Sequence, residues 1–515
     1  MDSGAECRGK SQIPHRYNFI VVGIADFWYN SAPEALTEIN MVGRHKEKSA
    51  LLNAAERTEA QFVAVYGRRR VGKTYLIRET FHDDFCFCHV GVSGVGTAEQ
   101  LLNFRDSLVK YGHDQCPALK SWREAFLALE KLIERCEKQR KVVFIDELPW
   151  MDTRRSKFIP ALEHFWNGYA STRKDMLLVV CGSATSWMMN KLIKNHGGLH
   201  NRVTDRIYLK PFCLAECEEY ASELGLSYSR EEIALGYMIF GGVPFYWSLM
   251  ERGLSLRQNV DALVFADTGK LRGEFAELFA SLFKDGPMYR NMVTALSSVK
   301  SGMTRDELIH RLNLSDGGKI SRCLADLESS GFVRRYVAFG KKKKDAVFQL
   351  IDNFSLFHLK YLSDDPNADE KFWQNTAGSS MQSSWTGLAF ERLCLQHIWQ
   401  LKNALQIGGV LTHVCSWRHV PDERCPNGAQ IDLVIDRADG VIDVCEMKYV
   451  RDEFIPDEKT DADMRRRMSV FTTVTKTRKS VNAVLITPYG MMQSKYSGRF
   501  SNVITFDDLF VYERA

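Results

Sequence analysis

The segment Phe62-Val63-Ala64-Val65-Tyr66-Gly67-Arg68-Arg69-Arg70-Val71-Gly72-Lys73-Thr74 decides the fold. Its first five residues are an unbroken apolar run, as expected of a buried strand, and Gly67 to Thr74 follow the pattern GxxxxGK[ST]. A helix is expected to begin near Lys73. In that strand–loop–helix setting the glycines let backbone N–H groups turn toward a phosphate, and the helix N-terminus adds its partial positive charge. Gly67, Arg68, Arg69, Arg70, Val71 and Gly72 form the cradle, Lys73 is expected to hold the β- and γ-phosphates, and Thr74 to ligate Mg²⁺. The bland alternative is a glycine turn with solvated arginines, and the flanking strand and helix speak against it.

Outward from this loop, the short apolar runs Phe62–Tyr66, Phe85–Val90, Val142–Ile145, Leu177–Cys181 and Ile207–Leu209 alternate with helix-length amphipathic stretches such as Trp122 to Cys136. The alternation reads as a parallel α/β sheet. The third run ends in Asp146-Glu147. Asp146 is expected to bind Mg²⁺ through water, and Glu147 to orient the attacking water beside Lys73. After Pro211 the pattern is helical. The expected organisation is an N-terminal extension (1–38), an α/β core (39–225), a helical lid (226–285), a helix–turn–helix with hairpin (286–362), a polar linker (363–384) and a second α/β domain (385–515).

Composition narrows the classes. A chain of 515 residues holds about three or four domains of ordinary size. Net charge is only +4, so the chain is not globally basic, but basic residues bunch at Arg68–Arg70, Lys341–Lys344 and Arg465–Arg467. The thirteen cysteines show no paired metal spacing and read as scattered thiols of a reducing cytoplasm. No basic region followed by an apolar core and cleavage site opens the chain. The uncharged run Ile233 to Met250 contains Gly241-Gly242-Val243-Pro244, which would break a spanning helix, so it is expected to be buried rather than to cross a membrane. Oligomeric state stays open.

Met41-Val42-Gly43-Arg44, YGRRRVGKT (66–74), FIDELPW (144–150), CGSATSW (181–187), NRVTDRIYLKPF (201–212) and GGVP (241–244) together resemble the archaeal-type ATPases, of the STAND branch of AAA-related NTPases. The resemblance extends over roughly residues 40 to 515, because that family also carries a winged helix and a C-terminal nuclease-like domain. It implies ATP as the nucleotide. It places Val42, Gly43, Arg44 and Pro244 at the adenine and Ser183 where a sensor reads the γ-phosphate. For Arg202 and Arg206 it offers transition-state neutralisation, with an ordinary salt bridge as an even alternative.

Thr304-Arg305-Asp306-Glu307 is a capping box opening a helix, Asn313 to Gly318 makes a turn, and a second helix runs from Lys319 to Glu328. Two strands follow around Lys341–Lys344. This is the layout of a winged helix, with DNA as the expected partner of the lysine tip and solvation as its alternative. Further on, Glu391 lies on a helix, Asp432 on a strand, and Glu446 and Lys448 on the next, two apart and so on one face. Two carboxylates and a lysine suit metal-assisted phosphodiester cleavage, with Glu391, Asp432 and Glu446 as metal ligands and Lys448 as the catalytic cation. This set resembles the PD-(D/E)xK nuclease superfamily.

Two readings therefore stand: an ATPase that licenses DNA cleavage, and a signalling or scaffold ATPase whose last domains only bind. Both need the phosphate loop. Lys73→Ala is expected to abolish ATP hydrolysis, measured as phosphate release; unchanged turnover would refute the assignment.

Overall fold

The computed structural model describes residues 41–194, 197–283, 285–362, 369–423 and 425–513. The expected extension 1–38 lies outside the described residues, as does the first part of the linker. Five strands, β1 (Gln61–Tyr66), β2 (Phe87–Val90), β3 (Lys141–Asp146), β4 (Met176–Gly182) and β5 (Asp205–Tyr208), pair in parallel in the order β2-β3-β4-β1-β5. All five fall where the apolar runs predict them. The runs are continuous because both faces are covered. Val63 and Val65 join Leu51 and Ala54 of the helix His45–Glu56 and Leu76 and Ile77 of the helix Lys73–Phe81 on one side. Phe62 and Ala64 join the helices Trp122–Arg135 and Phe158–Gly168 on the other.

Strand order positions the chemistry. With β4 inserted between β1 and β3, the loop after β1 and the acids after β3 flank the end of β4, where Ser183 lies. In open α/β sheets the crevice outside the carboxyl ends of the strands is where ligands bind.

The uncharged run at 233–250 is two buried helices, Arg230–Phe240 and Pro244–Ser248. They are split at Gly241, whose φ of 65° only glycine adopts freely. No described helix is long and apolar enough to cross a membrane. Gly242 is pressed against the chain entering the helical part: its carbonyl accepts from Phe212 N at 2.6 Å.

The capping box forms as expected. Thr304 Oγ1 accepts from Glu307 N, and Glu307 Oε2 accepts from Thr304 N at 2.7 Å, opening the helix Arg305–Leu312. With the helices Gly286–Ser297 and Gly318–Ser329 it packs beside a three-stranded antiparallel sheet of β6 (Met303–Thr304), β7 (Val333–Tyr336) and β8 (Val347–Leu350), ordered β6-β8-β7. Lys341–Lys344 are exposed between β7 and β8.

The last part is a mixed sheet, β13-β12-β11-β10-β9, of β9 (Thr412–His419), β10 (Ala429–Arg437), β11 (Val441–Met447), β12 (Ser480–Ile486) and β13 (Asn502–Ile504). Alternate residues serve two cores: Leu433, Ile435 and Cys445 pack with Phe390 of the helix Ser380–Gln396, and Val434, Ile442 and Val444 with Phe471 of the helix Glu458–Thr475. The first of these cores does not stop at the sheet. Trp247, Phe279, Phe332, Phe357, Trp385 and Leu433 all belong to it, so one apolar interior runs from the helices after β5 through the hairpin part to the last sheet.

A Cβ at Gly242 would stand 1.8 Å from the Phe212 carbonyl oxygen, a backbone atom with no freedom to swing away. Gly242→Ala is expected to destabilise the fold by about 1–3 kcal/mol, the usual penalty of overpacking, read as a lowered denaturant midpoint.

Candidate nucleotide site and the C-terminal acids

The loop predicted from the sequence forms between β1 and the helix Lys73–Phe81. Gly72 has a φ of 87° and open space where a Cβ would stand, whereas a Cβ on Gly67 would meet Leu209 O at 2.3 Å. The first glycine is demanded by packing and the second by the turn. Lys73 is buried, and its ammonium donates to the carbonyls of Gly67 at 3.2 Å and Arg68 at 2.9 Å. It is folded back on its own loop.

Thr74 Oγ1 donates to Asp146 Oδ2 at 2.6 Å, across 72 residues of sequence. A hydroxyl and a buried carboxylate are hard oxygen donors, and a pair of them suits Mg²⁺, which takes few protein ligands and fills its shell with water and phosphate. Asp146 Oδ1 accepts from Glu147 N at 2.7 Å and from the Cys181 thiol, which fixes its orientation.

Glu147 sits in the left-handed region with a φ of 45°, unfavourable for a side chain of this size. Its Oε2 accepts from Ser183 Oγ at 2.9 Å and Ser183 N at 3.2 Å. Burial pushes its carboxyl above the usual range; Asp146 pushes the same way, while Lys73 and the Ser183 hydrogen bonds oppose it. The structure thus gathers Lys73, Thr74, Asp146, Glu147 and Ser183 at one edge of the sheet.

The arginines of the loop are turned elsewhere. Arg68 pairs with Asp352 and Arg70 with Glu274, both acids buried. Arg69 is partly exposed. Arg44 lies 4.5 Å from the centroid of the Phe212 ring and donates from Nη2 to Val71 O at 3.4 Å, while a Cβ on Gly43 would meet Glu216 at 2.6 Å. Val42 is buried, and Pro244 opens its helix two residues after Gly242, which contacts Phe212. Of the adenine-edge residues named from the sequence, Arg44 lies against Phe212. Arg202 and Arg206 are exposed. Asp352 and Glu274 carried no local signal that linked them to this loop.

The C-terminal acids depart from expectation. Glu391 and Asp432 meet, but around a cation: Lys300 Nζ lies 2.7 Å from Glu391 Oε2 and 3.1 Å from Asp432 Oδ2. Glu446 instead pairs with Lys448 at 3.0 Å and with Arg467 of the helix Glu458–Thr475. Among the described residues no three His, Cys, Asp or Glu side chains converge in a metal-holding group. Glu391 and Asp432 are thus brought together on Lys300, while Glu446 is paired with Lys448 and Arg467. The physical reason is register: pairing of β10 with β9 shifts between Ile431 and Val434, and an irregularity of that kind re-aims the side chains within it. Asp432 turns to the helix bearing Glu391, while Glu446 faces the opposite helix. A small cleft beside Asp432 is lined by Lys300, Arg334, Arg392 and Arg418. An open groove continues from it along Arg418, His419, Gln430, Arg466 and Arg467.

Residues 41–249 match a family described as an ATPase domain predominantly from Archaea. This part of the chain is similar to ATPase domains of that kind, and the match supports ATP binding and hydrolysis. An uncharacterized protein of Methanocaldococcus jannaschii is 21% identical over 396 residues, covering 76% of this chain and 83% of that protein. Among solved structures, a Walker-type ATPase of Pyrococcus abyssi has a TM-score of 0.47 at 17% identity and spans 64% of this chain and 99% of its own. The ORC2 protein of Aeropyrum pernix, in its ADPNP–ADP complexes, has a TM-score of 0.39 at 14% identity, with 68% of this chain and 98% of that one covered.

Because burial raises the Glu147 carboxyl, its charged form is lost on acidification at a pH above that of a free glutamate. Hydrolysis is expected to fall along an acid limb displaced upward, and Ser183→Ala, which removes the Oγ hydrogen bond to Glu147 while keeping the backbone one, is expected to move the limb higher still. A kcat–pH profile of both proteins checks this; an unmoved limb in Ser183→Ala would separate Glu147 from the rate.

Proposed function

We propose that the chain is an ATP-hydrolysing switch that passes its nucleotide state to a nucleic-acid-binding C-terminal half. The observation that carries the ATPase chemistry is the Thr74 Oγ1–Asp146 Oδ2 contact, which joins two motifs from distant sequence at one sheet edge. Thr74 and Asp146 would hold Mg²⁺, which, when bound, screens phosphate charge. Lys73 binds the β- and γ-phosphates, Glu147 orients water toward the γ-phosphate, and Ser183 keeps Glu147 in place.

The helices and hairpin over 286–362 support a winged-helix reading, with Lys341–Lys344 free to approach a phosphate backbone. The groove along Arg418, Arg466 and Arg467 supports a second contact with the same polymer.

For the C-terminal sheet, the ion pairs at Glu391, Asp432 and Glu446 favour the switch over an active nuclease. Metal-dependent cleavage at PD-(D/E)xK-like residues would first require Lys300 and Arg467 to be displaced. The distinguishing assay incubates supercoiled and linear DNA with Mg²⁺ or Mn²⁺, with and without ATP, comparing wild type, Glu446→Ala and Lys73→Ala. The switch reading expects ATP turnover without cleavage, and DNA affinity lowered when Arg418, Arg466 and Arg467 are replaced by alanine. ATP-dependent cleavage lost in Glu446→Ala would overturn it in favour of the nuclease.

A further inference from the structure

The phosphate loop is gripped from outside the ATPase domain. Arg68 is buried, only 5% exposed; its Nη1 donates to Asp352 Oδ1, and its guanidinium lies 4.9 Å from the centroid of the Phe332 ring. Burial alone would lower the arginine's pKa, but Asp352, with Tyr246 and Glu274 beside it, outweighs burial and the pKa is raised. Asp352 is only 3% exposed. Its second oxygen, Oδ2, accepts from Ser355 N at 2.9 Å and caps the helix Asn353–Tyr361. The next residue, Asn353, donates to Tyr237 O at 2.6 Å.

On the other side of Arg68 is its own carbonyl, which accepts the Lys73 ammonium at 2.9 Å. The lysine is thus parked on the peptide whose side chain Asp352 anchors. Arg70 repeats the arrangement: it pairs with Glu274, which accepts from Tyr246 Oη at 2.9 Å, and it lies 4.2 Å from the centroid of the Phe245 ring.

We propose that Asp352 is a positioning residue of the nucleotide site, acting through Arg68 to fix the loop carbonyls on which Lys73 waits. The proposal rests on Lys73 as the phosphate ligand. Nucleotide binding and the seating of the helix Asn353–Tyr361 are then one linked equilibrium, and linkage works in both directions. A residue 284 positions along the chain from Arg68 sets how readily the loop receives phosphate.

The test uses the full chain. Asp352→Asn keeps the shape and removes the charge; KM for ATP is expected to rise at least about tenfold while kcat at saturation changes less than about threefold. The double variant Arg68→Ala/Asp352→Asn is expected to be no worse than Arg68→Ala, since both remove one link. A wild-type KM in folded Asp352→Asn, or additive effects, overturns the proposal. If Asp352→Asn does not fold, the wild-type protein supplies the check. ADP is expected to alter amide hydrogen exchange across residues 352–361, and unchanged exchange there while the phosphate loop becomes protected overturns the proposal equally. Failure of the underlying reading looks different: ADP would then bind Lys73→Ala as tightly as wild type.

Discussion

A guanidinium removed from water needs a fixed counter-charge, and for Arg68 that partner is Asp352. The pair lies where the ATPase domain meets the helices and hairpin that follow it. Compared with a well-packed apolar contact, such a pair adds little net stability. Removing one partner alone, however, costs about 3–5 kcal/mol, because the other is left charged in a poor solvent. The consequence is geometric. The helix Asn353–Tyr361 is seated so that Asp352 meets the guanidinium, and Phe332 closes over it. The neighbouring Arg70–Glu274 pair imposes the same demand from the helix Glu274–Leu282.

Across the sheet edge, the same exclusion of water acts on the acids. Asp146 is held by three donors: the Thr74 hydroxyl, the Glu147 backbone and the Cys181 thiol. Glu147 has a strained backbone and is held by Ser183. Groups fixed in this way do not have to reorganise when charge develops on a phosphate, which is where most of the benefit of a preformed site arises. The strain at Glu147 persists because β3, β4 and the short helix Leu148–Met151 leave its backbone no other course.

How much of this was legible in the sequence depends on how local each signal is. The five strands, the glycine turn at Gly72, the capping box at Thr304 and the acids after β3 are all written in contiguous residues, and the structure has them where the sequence implies. The partners of Arg68 and Arg70 are not local. Three arginines in a phosphate loop invite assignment to phosphate, and nothing near Asp352 or Glu274 advertises the arginines they meet. Asp432 illustrates a second limit. Its residue type and strand were readable, but the side-chain direction depends on a register shift against β9, and pairing register is a property of two strands rather than one. Lys300, the cation on which Glu391 and Asp432 meet, sits in a turn before β6 with no sequence signal of its own.

The shared apolar interior has a thermodynamic reading. Trp247, Phe332, Trp385 and Leu433 are packed into the same core although the sequence divides them among a lid, a hairpin part and a terminal sheet. Elements that bury their surface in one another cannot melt independently, so this half of the chain behaves as a single cooperative block while the parallel sheet keeps cores of its own. Cutting the chain ahead of residue 385 would leave the inner face of the last sheet and its helix uncovered, a sticky surface rather than a working fragment. The individual modules named from the sequence share that interior and are not separate packing units.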